Sequence, residues 1–492
     1  MSEEDDIKNV GYPLFTHLGC LYFSYKYTFV PTFIEVRNTY TAMSLAISIP
    51  LPFFIILLFS IVVQAVVPAN KTFIIVNEGN YGEYDDEYGS NYRLVNNAEY
   101  DFQENGFALC FYNTTPSAYT LGLRMGSRPE DSTFNIMRWV WDANRGNPVG
   151  ENATLSFGRN GNLVLADANG RVAWQTGTAN KGVVGISLLP NGNLVLQDNR
   201  GRFVWQSFSY PTDTLLVGQG LSSSGTTELI SRVSNVDGSK GPYSVVLEKQ
   251  RLVMYLKSKN SPKPILYHII LDQGGFDFIN SVMFNSVPET QEAFVYNLNL
   301  DYYVDNSTTP FSTRLARPKY NSILSFLRVE SDGNLRIYTY YNKVIFGSWE
   351  VTFTLFNREG SRSVSECRLP TRCRSYGVCL NNNCVGCPSP EGIILAWSET
   401  CTSPTLPPCK NRSPPVKASY YKVVGVEHFT RDYTEGEGPV KVSECRGKCN
   451  QDCGCLGFFY REESSKCLIA YELGTLTKVA NQSHLAYIKM YK

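Results

Sequence analysis

A short internal repeat limits what this chain can fold into. LSFGRNGNLVLADANGRVAWQT (155–176) aligns with ISLLPNGNLVLQDNRGRFVWQS (186–207), so that Trp174 matches Trp205. Each copy reads as an apolar strand, an Asn-Gly turn, a second strand, a turn with glycine and a strand that ends in Trp-Gln. A more divergent copy ends in RWVWDANRG (138–146). Three such hairpin units predict three small sheets around a shared core, with one tryptophan from each pointing inward.

A second all-β region follows the repeat. Apolar and polar residues alternate in YSVVLEKQRLVMYLK (243–257) and in SFLRVESDGNLRIYTYYNKVIFGSW (325–349), a pattern that gives strands with one buried face. The latter contains DGNLRI, a near copy of NGNLVL, and Trp349 is predicted to close this region as Trp205 closes the first. Neither region has a long apolar period of 3.6 residues, so the chain is predicted to be mostly β.

Composition argues against several classes of function. Lys plus Arg and Asp plus Glu are equal at 45 each and are interspersed, which gives no reason to expect a nucleic-acid partner. The four histidines have no zinc-site spacing, and we expect neither a metal nor another cofactor. No Ser-His-Asp set, Cys-His pair or glycosidase carboxylate pair is recognisable, so an enzyme is not expected.

Three isolated features are interpreted as structural. The acidic run Asp85-Asp86-Glu87, set among tyrosines, is interpreted as a solvated loop, with calcium or a basic partner as the alternative. Cys110, in the alternating GFALCFY, is predicted to be a free buried thiol. Cys384 and Cys387 have the spacing of a redox motif, but no βαβ pattern surrounds them.

The N-terminal part predicts secretion. MSLAISIPLPFFIILLFSIVVQA (43–65) has an apolar run from Leu45 and ends in small residues that suit a signal peptidase. Residues 1–42 would then be an extension that need not belong to the native product. The alternative is an uncleaved type II membrane anchor over 45–67. Six sequons that all follow the apolar run predict N-glycosylation, at Asn70, Asn113, Asn152, Asn306, Asn411 and Asn481.

The cysteines are concentrated near the C-terminus. Of the fourteen, Cys20 and Cys110 stand alone and the other twelve lie between Cys367 and Cys467. A dense, even-numbered cluster in a loop-rich region predicts a disulfide framework and an oxidising compartment. Spacing alone leaves the connectivity open.

The cysteine-rich part divides into two modules. The compact CRLPTRCRSYGVCLNNNCVGC (367–387) is followed by the Pro- and Ser-rich SPTLPPCKNRSPP (403–415), which is typical of a linker. The last module contains SECRGKCNQDCGCLGFFY, whose first residue, Ser443, is a predicted helix N-cap. Cys445 and Cys449 would share one face of that helix and bind it to strands.

Several long strings together carry a family resemblance. They are RWVWDANRGNPV (138–149), VWQSFSYPTDTLLVGQ (204–219), DGNLRIY (332–338), the repeated NGNLVL and the terminal SECRGKC…CGC. With them the chain resembles the plant bulb-type (G-type) lectin architecture, the ectodomain plan of S-locus glycoproteins and S-domain receptor kinases. Because no kinase signature is present, it is most similar to the epidermis-specific secreted glycoproteins of that group.

The resemblance implies a domain plan and a set of disulfides. The fold class is a β-prism II bulb-lectin domain and a second lectin-like β domain, followed by disulfide-rich EGF-like and PAN/apple modules. The expected boundaries are N-terminal extension 1–42, signal peptide 43–65, bulb-type lectin 66–220, second lectin-like domain 221–360, EGF-like module 366–402, linker 403–415 and PAN/apple module 416–492. The implied pairs are Cys367–Cys379, Cys373–Cys384, Cys387–Cys401, Cys409–Cys453, Cys445–Cys467 and Cys449–Cys455.

The family's mannose site is a strand that reads Gln-x-Asp-x-Asn-x-Val-x-Tyr, whose spacing of two puts five side chains on one face. The positions that remain here as degenerate carbohydrate-binding residues are Asn160, Asn162, Val164, Asn191, Asn193, Val195, Asp332, Asn334 and Tyr338. Other motif positions have changed, to Gly158, Ala166, Leu189, Gln197 and Arg336. Because Asn-Gly and Asp-Gly are strong hairpin-turn signals, a structural role is favoured over sugar binding.

The resemblance and the altered motifs lead to one expected function and one alternative. We expect a secreted, non-catalytic cell-wall or extracellular glycoprotein that binds glycans or glycosylated wall components weakly and multivalently. The alternative is a soluble receptor-like ectodomain that associates with S-domain receptors or peptides.

Overall fold

This computed structural model describes residues 66–490 except 84–85, 127–136, 275–277, 290–294, 306, 321–323, 343–347, 359–363, 392–393 and 406–417. The N-terminal extension, the signal peptide or anchor, and Cys20 lie outside the described residues. The same is true of Cys409 and of the sequons at Asn306 and Asn411. In the described part of the chain, no helix combines the length and the apolar character needed to cross a bilayer.

The first twelve strands form what we call the first prism. They are β1 Phe73–Val76, β2 Asn91–Leu94, β3 Gln103–Glu104, β4 Phe107–Asn113, β5 Tyr119–Met125, β6 Arg138–Asp142, β7 Thr154–Phe157, β8 Leu163–Ala166, β9 Val172–Gln175, β10 Val183–Leu188, β11 Leu194–Asp198 and β12 Phe203–Gln206. Three antiparallel sheets result, with strand orders β1-β7-β8-β9, β2-β4-β5-β6 with β3 beside β4, and β10-β11-β12. The prediction of three small sheets is confirmed.

The Asn-Gly turns close two of the repeated hairpins. Gly161 and Gly192 have φ of 77° and 83°, a left-handed conformation that glycine adopts without steric cost. Both turns are also tightly packed, because a Cβ on Gly161 would lie 2.6 Å from the Val183 side chain and one on Gly192 would lie 2.7 Å from Phe107. Other residues at these positions would therefore meet both backbone strain and a clash.

Three tryptophans meet in the core of the first prism, as the repeat predicts. The ring centroids of Trp141 and Trp174 are 6.0 Å apart, those of Trp141 and Trp205 are 6.2 Å apart, and those of Trp174 and Trp205 are 5.7 Å apart. All three pairs are edge-to-face, which is a favourable geometry for aromatic rings. One residue from each hairpin unit therefore joins the three sheets in one core.

The next twelve strands form the second prism. They are β13 Thr214–Leu216, β14 Gln219–Ser222, β15 Glu228–Arg232, β16 Lys240–Leu247, β17 Arg251–Leu256, β18 Ile265–Asp272, β19 Ile279–Pro288, β20 Tyr296–Val304, β21 Phe311–Ala316, β22 Ser325–Val329, β23 Leu335–Tyr341 and β24 Ser348–Thr354. Three four-stranded sheets result, with orders β13-β22-β23-β24, β14-β19-β20-β21 and β15-β16-β17-β18. The expected division at residue 220 falls within β14.

One sheet of the second prism is buried on both faces. Every residue of β22 is buried, although alternation predicted a single buried face. Phe326 and Tyr340 pack in the core of the first prism, whereas Leu327 and Ile337 pack in the core of the second. Trp349, which was predicted to close the second core, packs against the first core instead. The sheet β13-β22-β23-β24 is therefore shared by the two prisms.

The C-terminal modules also share a sheet. The remaining elements are β25 Phe356–Asn357, β26 Val364–Ser365, β27 Tyr376–Leu380, β28 Asn383–Pro388, β29 Ile394–Ala396, β30 Ser419–Val424, β31 Val426–His428, α1 Val442–Gln451, β32 Gly457–Arg461, β33 Lys466–Ala470, β34 Gly474–Lys478 and β35 His484–Met490. The sheet orders are β29-β28-β27-β34-β31 and β30-β35-β32-β33. Strand β27 of the EGF-like module pairs in parallel with β34 of the PAN module, so the two are joined by backbone hydrogen bonds. Short 3₁₀ turns lie at Ala69–Lys71, Glu87–Gly89, Ser207–Ser209 and Glu366–Arg368.

The helix α1 carries two disulfide cysteines on one buried face. Cys445 and Cys449 are both fully buried, as their spacing predicted. The predicted N-cap at Ser443 is wrong, because Lys441 holds the cap position with an extended backbone and no side-chain cap bond. The carbonyl of Lys441 accepts the first helical N–H bonds, from Glu444 and Cys445, which places Ser443 inside the first turn.

Five disulfides lie in the described residues. They are Cys367–Cys379, Cys373–Cys384, Cys387–Cys401, Cys445–Cys467 and Cys449–Cys455, the pairs that the resemblance implied. Cys453 is disulfide-bonded as well, and Cys409, its implied partner, lies outside the described residues. Cys110 is a buried free thiol, and burial raises the pKa of that thiol to about 12. At neutral pH it is therefore uncharged and unreactive.

His428 makes the stability of the PAN module dependent on pH. Its Nε2 lies 2.8 Å from the carbonyl oxygen of Glu472 and its Nδ1 lies 2.7 Å from the Thr430 hydroxyl. Burial lowers its pKa from 6.5 to about 4. The unfolded chain therefore takes up a proton before the folded chain does, and the contribution of this group is fully present above pH 6.5 and is lost as pH falls through 4.

We expect wild-type protein to lose up to about 3 kcal/mol of unfolding free energy through His428 between pH 6.5 and 4. His428→Gln should remove that part of the pH dependence. Thr430→Val should lower the free energy of unfolding at pH 7 and at pH 4.5 and should leave the pH dependence in place. Urea unfolding at pH 7 and pH 4.5 measures the difference. Equal losses for wild type and His428→Gln would contradict the assignment.

Candidate functional site

The central asparagine of each sugar-motif copy is buried. Asn162, Asn193 and Asn334 are 7%, 4% and 1% exposed, and each lies immediately before the second strand of its hairpin. A side-chain amide has two donors and one acceptor oxygen, and a buried amide needs partners for them. What those partners are decides whether the asparagine is available to a sugar.

In the first two copies the partners come from the Trp-Gln end of the same repeat. Asn162 Nδ2 donates to Gln175 Oε1 at 2.8 Å, and its Oδ1 accepts from the Thr178 N–H at 3.0 Å. Asn193 Nδ2 donates in the same way to Gln206 Oε1 at 2.9 Å. The asparagine therefore ties the hairpin to its third strand. The glutamine that follows Trp174 and Trp205 in the sequence is the signal that could have revealed this pair.

The copy in the second prism is tied internally too. Asn334 Nδ2 donates to the Phe356 carbonyl at 2.8 Å, and its Oδ1 accepts from the Phe356 N–H at 3.1 Å. Asp332 pairs with Arg336 at 2.7 Å. Burial, followed by the nearby Glu330 carboxylate, raises the pKa of Tyr338, whose hydroxyl donates to that carboxylate at 2.8 Å.

The outer positions of the motif have turn geometry. The side-chain oxygens of Asn160 and Asn191 accept the N–H two residues ahead, at 3.1 and 3.2 Å, which forms an Asx turn in each hairpin. Both side chains are otherwise exposed. Val164 is half-buried, but Val195 is 0% exposed and offers no surface to a sugar ring.

The ring of Tyr338 is covered from the first prism. The guanidinium carbon of Arg138 lies 4.5 Å from the centre of the Tyr338 ring, within cation–π range. Since the hydroxyl of Tyr338 is bonded to Glu330, both its ring and its polar end are engaged within the protein. The three motif copies therefore present only fragments of a polar face.

The structure corrects the interpretation of the acidic run at residues 85–87. Asp86 and Glu87 are 6% and 8% exposed, so the expectation of a solvated loop is wrong for them, and Asp85 lies outside the described residues. Glu87 pairs with Arg138 at 2.6 Å and with Arg328 at 2.9 Å. Buried carboxylates require such partners, and the sequence does not reveal them because Arg328 is 241 residues away.

Of the sequons in the described residues, three are accessible and one is not. Asn70, Asn152 and Asn481 are exposed, which suits an attached glycan. Asn113 is 4% exposed at the end of β4, between β2 and β5. A glycan there would have to displace packed strands, so the expectation of glycosylation at Asn113 is withdrawn.

Comparison with known proteins identifies the family. The family described as D-mannose binding lectin matches residues 138–235. EP1-like glycoprotein 2 of Arabidopsis thaliana is 48% identical over 451 residues, which cover 87% of this chain and 96% of that protein. This chain belongs to the EP1-like glycoprotein family. Its resemblance to bulb-type lectin glycoproteins is thereby confirmed.

Two further relatives differ widely in their identity to this chain. Epidermis-specific secreted glycoprotein EP1 of Daucus carota is 51% identical over 360 residues, which cover 70% of this chain and 90% of that protein. The G-type lectin S-receptor-like serine/threonine-protein kinase SD2-5 of Arabidopsis thaliana is 26% identical over 423 residues, 82% of this chain but 46% of the kinase. This chain is thus a lectin-like glycoprotein, and its relationship to receptor kinases is distant.

Proposed function

We propose that this EP1-like chain is an extracellular, non-catalytic glycoprotein that binds glycans or glycosylated wall components weakly, gaining avidity from several copies rather than from a competent mannose site. The observation that carries the proposal is that the side-chain amides of Asn162, Asn193 and Asn334 form hydrogen bonds within the protein. The disulfide-rich modules suit an oxidising, extracellular compartment.

The expected binding free energies favour multivalent binding. If an intact single mannose site has a dissociation constant near 1 mM, it has about 4 kcal/mol of binding free energy. Losing two or three hydrogen bonds at about 1 kcal/mol each leaves a site too weak to act alone. Linking several weak sites raises avidity by about 10²–10⁴-fold, provided that they engage together.

A glycan array tests the proposal. Purified protein clustered on a tetravalent carrier should bind oligosaccharides on the array, and the binding should survive excess methyl α-mannoside. Asn160 is an exposed residue of the motif, so Asn160→Ala tests whether the motif contributes. This variant should bind as wild type does, because the proposed binding does not depend on a mannose site. No signal above background from the clustered protein, or a signal abolished by both methyl α-mannoside and Asn160→Ala, would contradict the proposal.

A protein-interaction ectodomain is a second candidate, favoured by an apolar patch on the EGF-like module. Leu380, Val385, Leu395 and Trp397 are 41%, 43%, 56% and 37% exposed. Leu395 lies on β29, the outer strand of the five-stranded sheet. Exposed apolar groups on a sheet edge are typical of a surface that meets another protein.

Substitution of the patch tests the second candidate. Co-purification of an S-domain receptor ectodomain with the protein should survive excess mannose and should fall several-fold in Trp397→Ser. Val236→Ser is the matched control, because Val236 is 62% exposed in the loop between β15 and β16. Equal recovery with both variants, or a strictly monomeric protein without a partner, would count against this candidate.

A further inference from the structure

A cavity opens between the tryptophan cluster of the first prism and the first strands of the second prism. Its volume is about 470 Å³, within the range of small-molecule sites. Its lining includes the aromatic residues Trp174, Trp205 and Tyr210 and the charged residues Glu228 and Lys240. The two longest strings that carried the family resemblance, beginning at Arg138 and Val204, both reach it, so this cavity rather than NGNLVL is where those motifs meet.

The walls of the cavity are held in place by hydrogen bonds between the prisms. Arg145 donates from Nε to the Gly238 carbonyl at 2.7 Å and from Nη1 to the Ile230 carbonyl at 2.6 Å. The indole N–H of Trp141 donates to the Tyr210 carbonyl at 2.9 Å. Because backbone from both prisms is fixed in this way, the cavity is preformed and a ligand need not pay for ordering it.

An aromatic surface faces the cavity. Tyr210 is 54% exposed and stacks on Trp205, with ring centroids 5.7 Å apart and planes 15° apart. Trp174 meets Trp205 edge-to-face and is only half-buried. A largely exposed tyrosine in the wall of a cavity presents an apolar ring together with a polar hydroxyl, a combination that is common at binding sites.

Unused polar groups surround this aromatic surface. The indole nitrogens of Trp174 and Trp205 have no acceptor among the described residues, and neither is sealed from solvent. Glu228 and Lys240 are exposed and form no ion pair with a described residue. Gln175 uses its Oε1 for Asn162, which leaves its Nε2 as a further donor at the cavity wall. Donors and an acceptor thus converge on one space.

We propose that this cavity binds a neutral hexopyranose unit of an oligosaccharide. A pyranose ring has C–H groups that can lie on Tyr210 and hydroxyls that can accept from the indole N–H groups and donate to Glu228. The charged residues of the lining, Asp142 and Glu228 against Arg145 and Lys240, balance in charge, which favours a neutral sugar over a uronate. The inference rests on the proposed glycan-binding function and names the site at which it occurs.

Binding of defined oligosaccharides tests the site. Cellotetraose, galactotetraose and tetragalacturonic acid are arrayed for the clustered protein and titrated in solution against tryptophan fluorescence, which reports on Trp174 and Trp205. We expect at least one neutral tetrasaccharide to bind more tightly than tetragalacturonic acid. Tyr210→Ala should weaken that binding about five- to tenfold by removing the stacking surface, and Glu228→Ala about tenfold by removing a charged acceptor.

Matched controls separate this site from the general function. Tyr320→Ala removes a tyrosine of similar exposure, 56%, that does not line the cavity, and it should bind as wild type does. If a neutral tetrasaccharide binds wild type and Tyr210→Ala equally, the site is wrong while glycan binding stands. Binding of tetragalacturonic acid alone overturns the neutral-sugar assignment. If the wild-type protein binds no oligosaccharide on any array, the proposed function and the site both fail.

Discussion

Arg328→Met is expected to lower the free energy of unfolding by about 3–5 kcal/mol, because it removes one partner of a buried ion pair. The Arg328 side chain is 2% exposed, pairs with Glu87 at 2.9 Å and donates to the carbonyl of Trp139. Burial already raises the pKa of Glu330, and Arg328 opposes that rise. Without the guanidinium, Glu87, which is 8% exposed, keeps only Arg138 as an ion-pair partner, and Glu330 loses a neutralising charge.

Arg336→Met is the matched control. Arg336 lies directly opposite Arg328 on the neighbouring strand, but its partner Asp332 is 48% exposed. We expect a loss of about 1 kcal/mol or less there. Guanidinium chloride unfolding followed by circular dichroism gives both values, and the same loss from both variants would show that Arg328 is not a buried charge partner. Coupling between Arg328→Met and Glu87→Gln in a double-mutant cycle gives an independent check.

Phe326→Ala and Leu327→Ala are each expected to lower the free energy of unfolding by about 2–5 kcal/mol, although they are neighbours on one strand. In a sheet with one face exposed to solvent, one of two successive residues would be exposed. Here Phe326 and Leu327 are 0% and 2% exposed, because β22 lies between the cores of the two prisms. Each substitution should leave a cavity in a different core.

The two substitutions should nevertheless shift the same transition. Because the prisms share β22, tryptophan fluorescence, which reports mainly on the first core, and far-ultraviolet circular dichroism should give coincident unfolding curves in both variants. Val351→Ala is the control, since Val351 is 50% exposed on β24 of the same sheet. Two separate transitions, each moved by only one of the substitutions, would refute the shared core.

Local features of the sequence predicted the local features of the fold. Asn-Gly turns and strand alternation predict the hairpins, and the repeat predicts the cluster of Trp141, Trp174 and Trp205 from the sequence alone. These features succeed because both partners of each interaction lie within one repeat, or at the same position in successive repeats. The disulfide pairs came from the family resemblance, since spacing alone leaves them open.

Contacts between residues far apart in the chain could not be predicted from the sequence. Asp86 and Glu87 look like a hydrated acidic loop until Arg124, Arg138 and Arg328 are brought around them. Likewise, alternation in β22 predicts one buried face, and nothing in the strand itself reveals that a second core covers the other. In the sugar motif the sequence indicated which residues had changed, but the internal partners of Asn162 and Asn193 required the structure.

The pairing of β27 with β34 has a consequence for how the C-terminal half can be rearranged. Strand β27 lies at the centre of its sheet, with β28 on one side and β34 on the other. A chimera that replaced only the EGF-like module, or a truncation in the linker between the modules, would expose the backbone N–H and C=O groups of a strand that is normally interior. The two modules should therefore be inherited, exchanged and expressed as a single cassette.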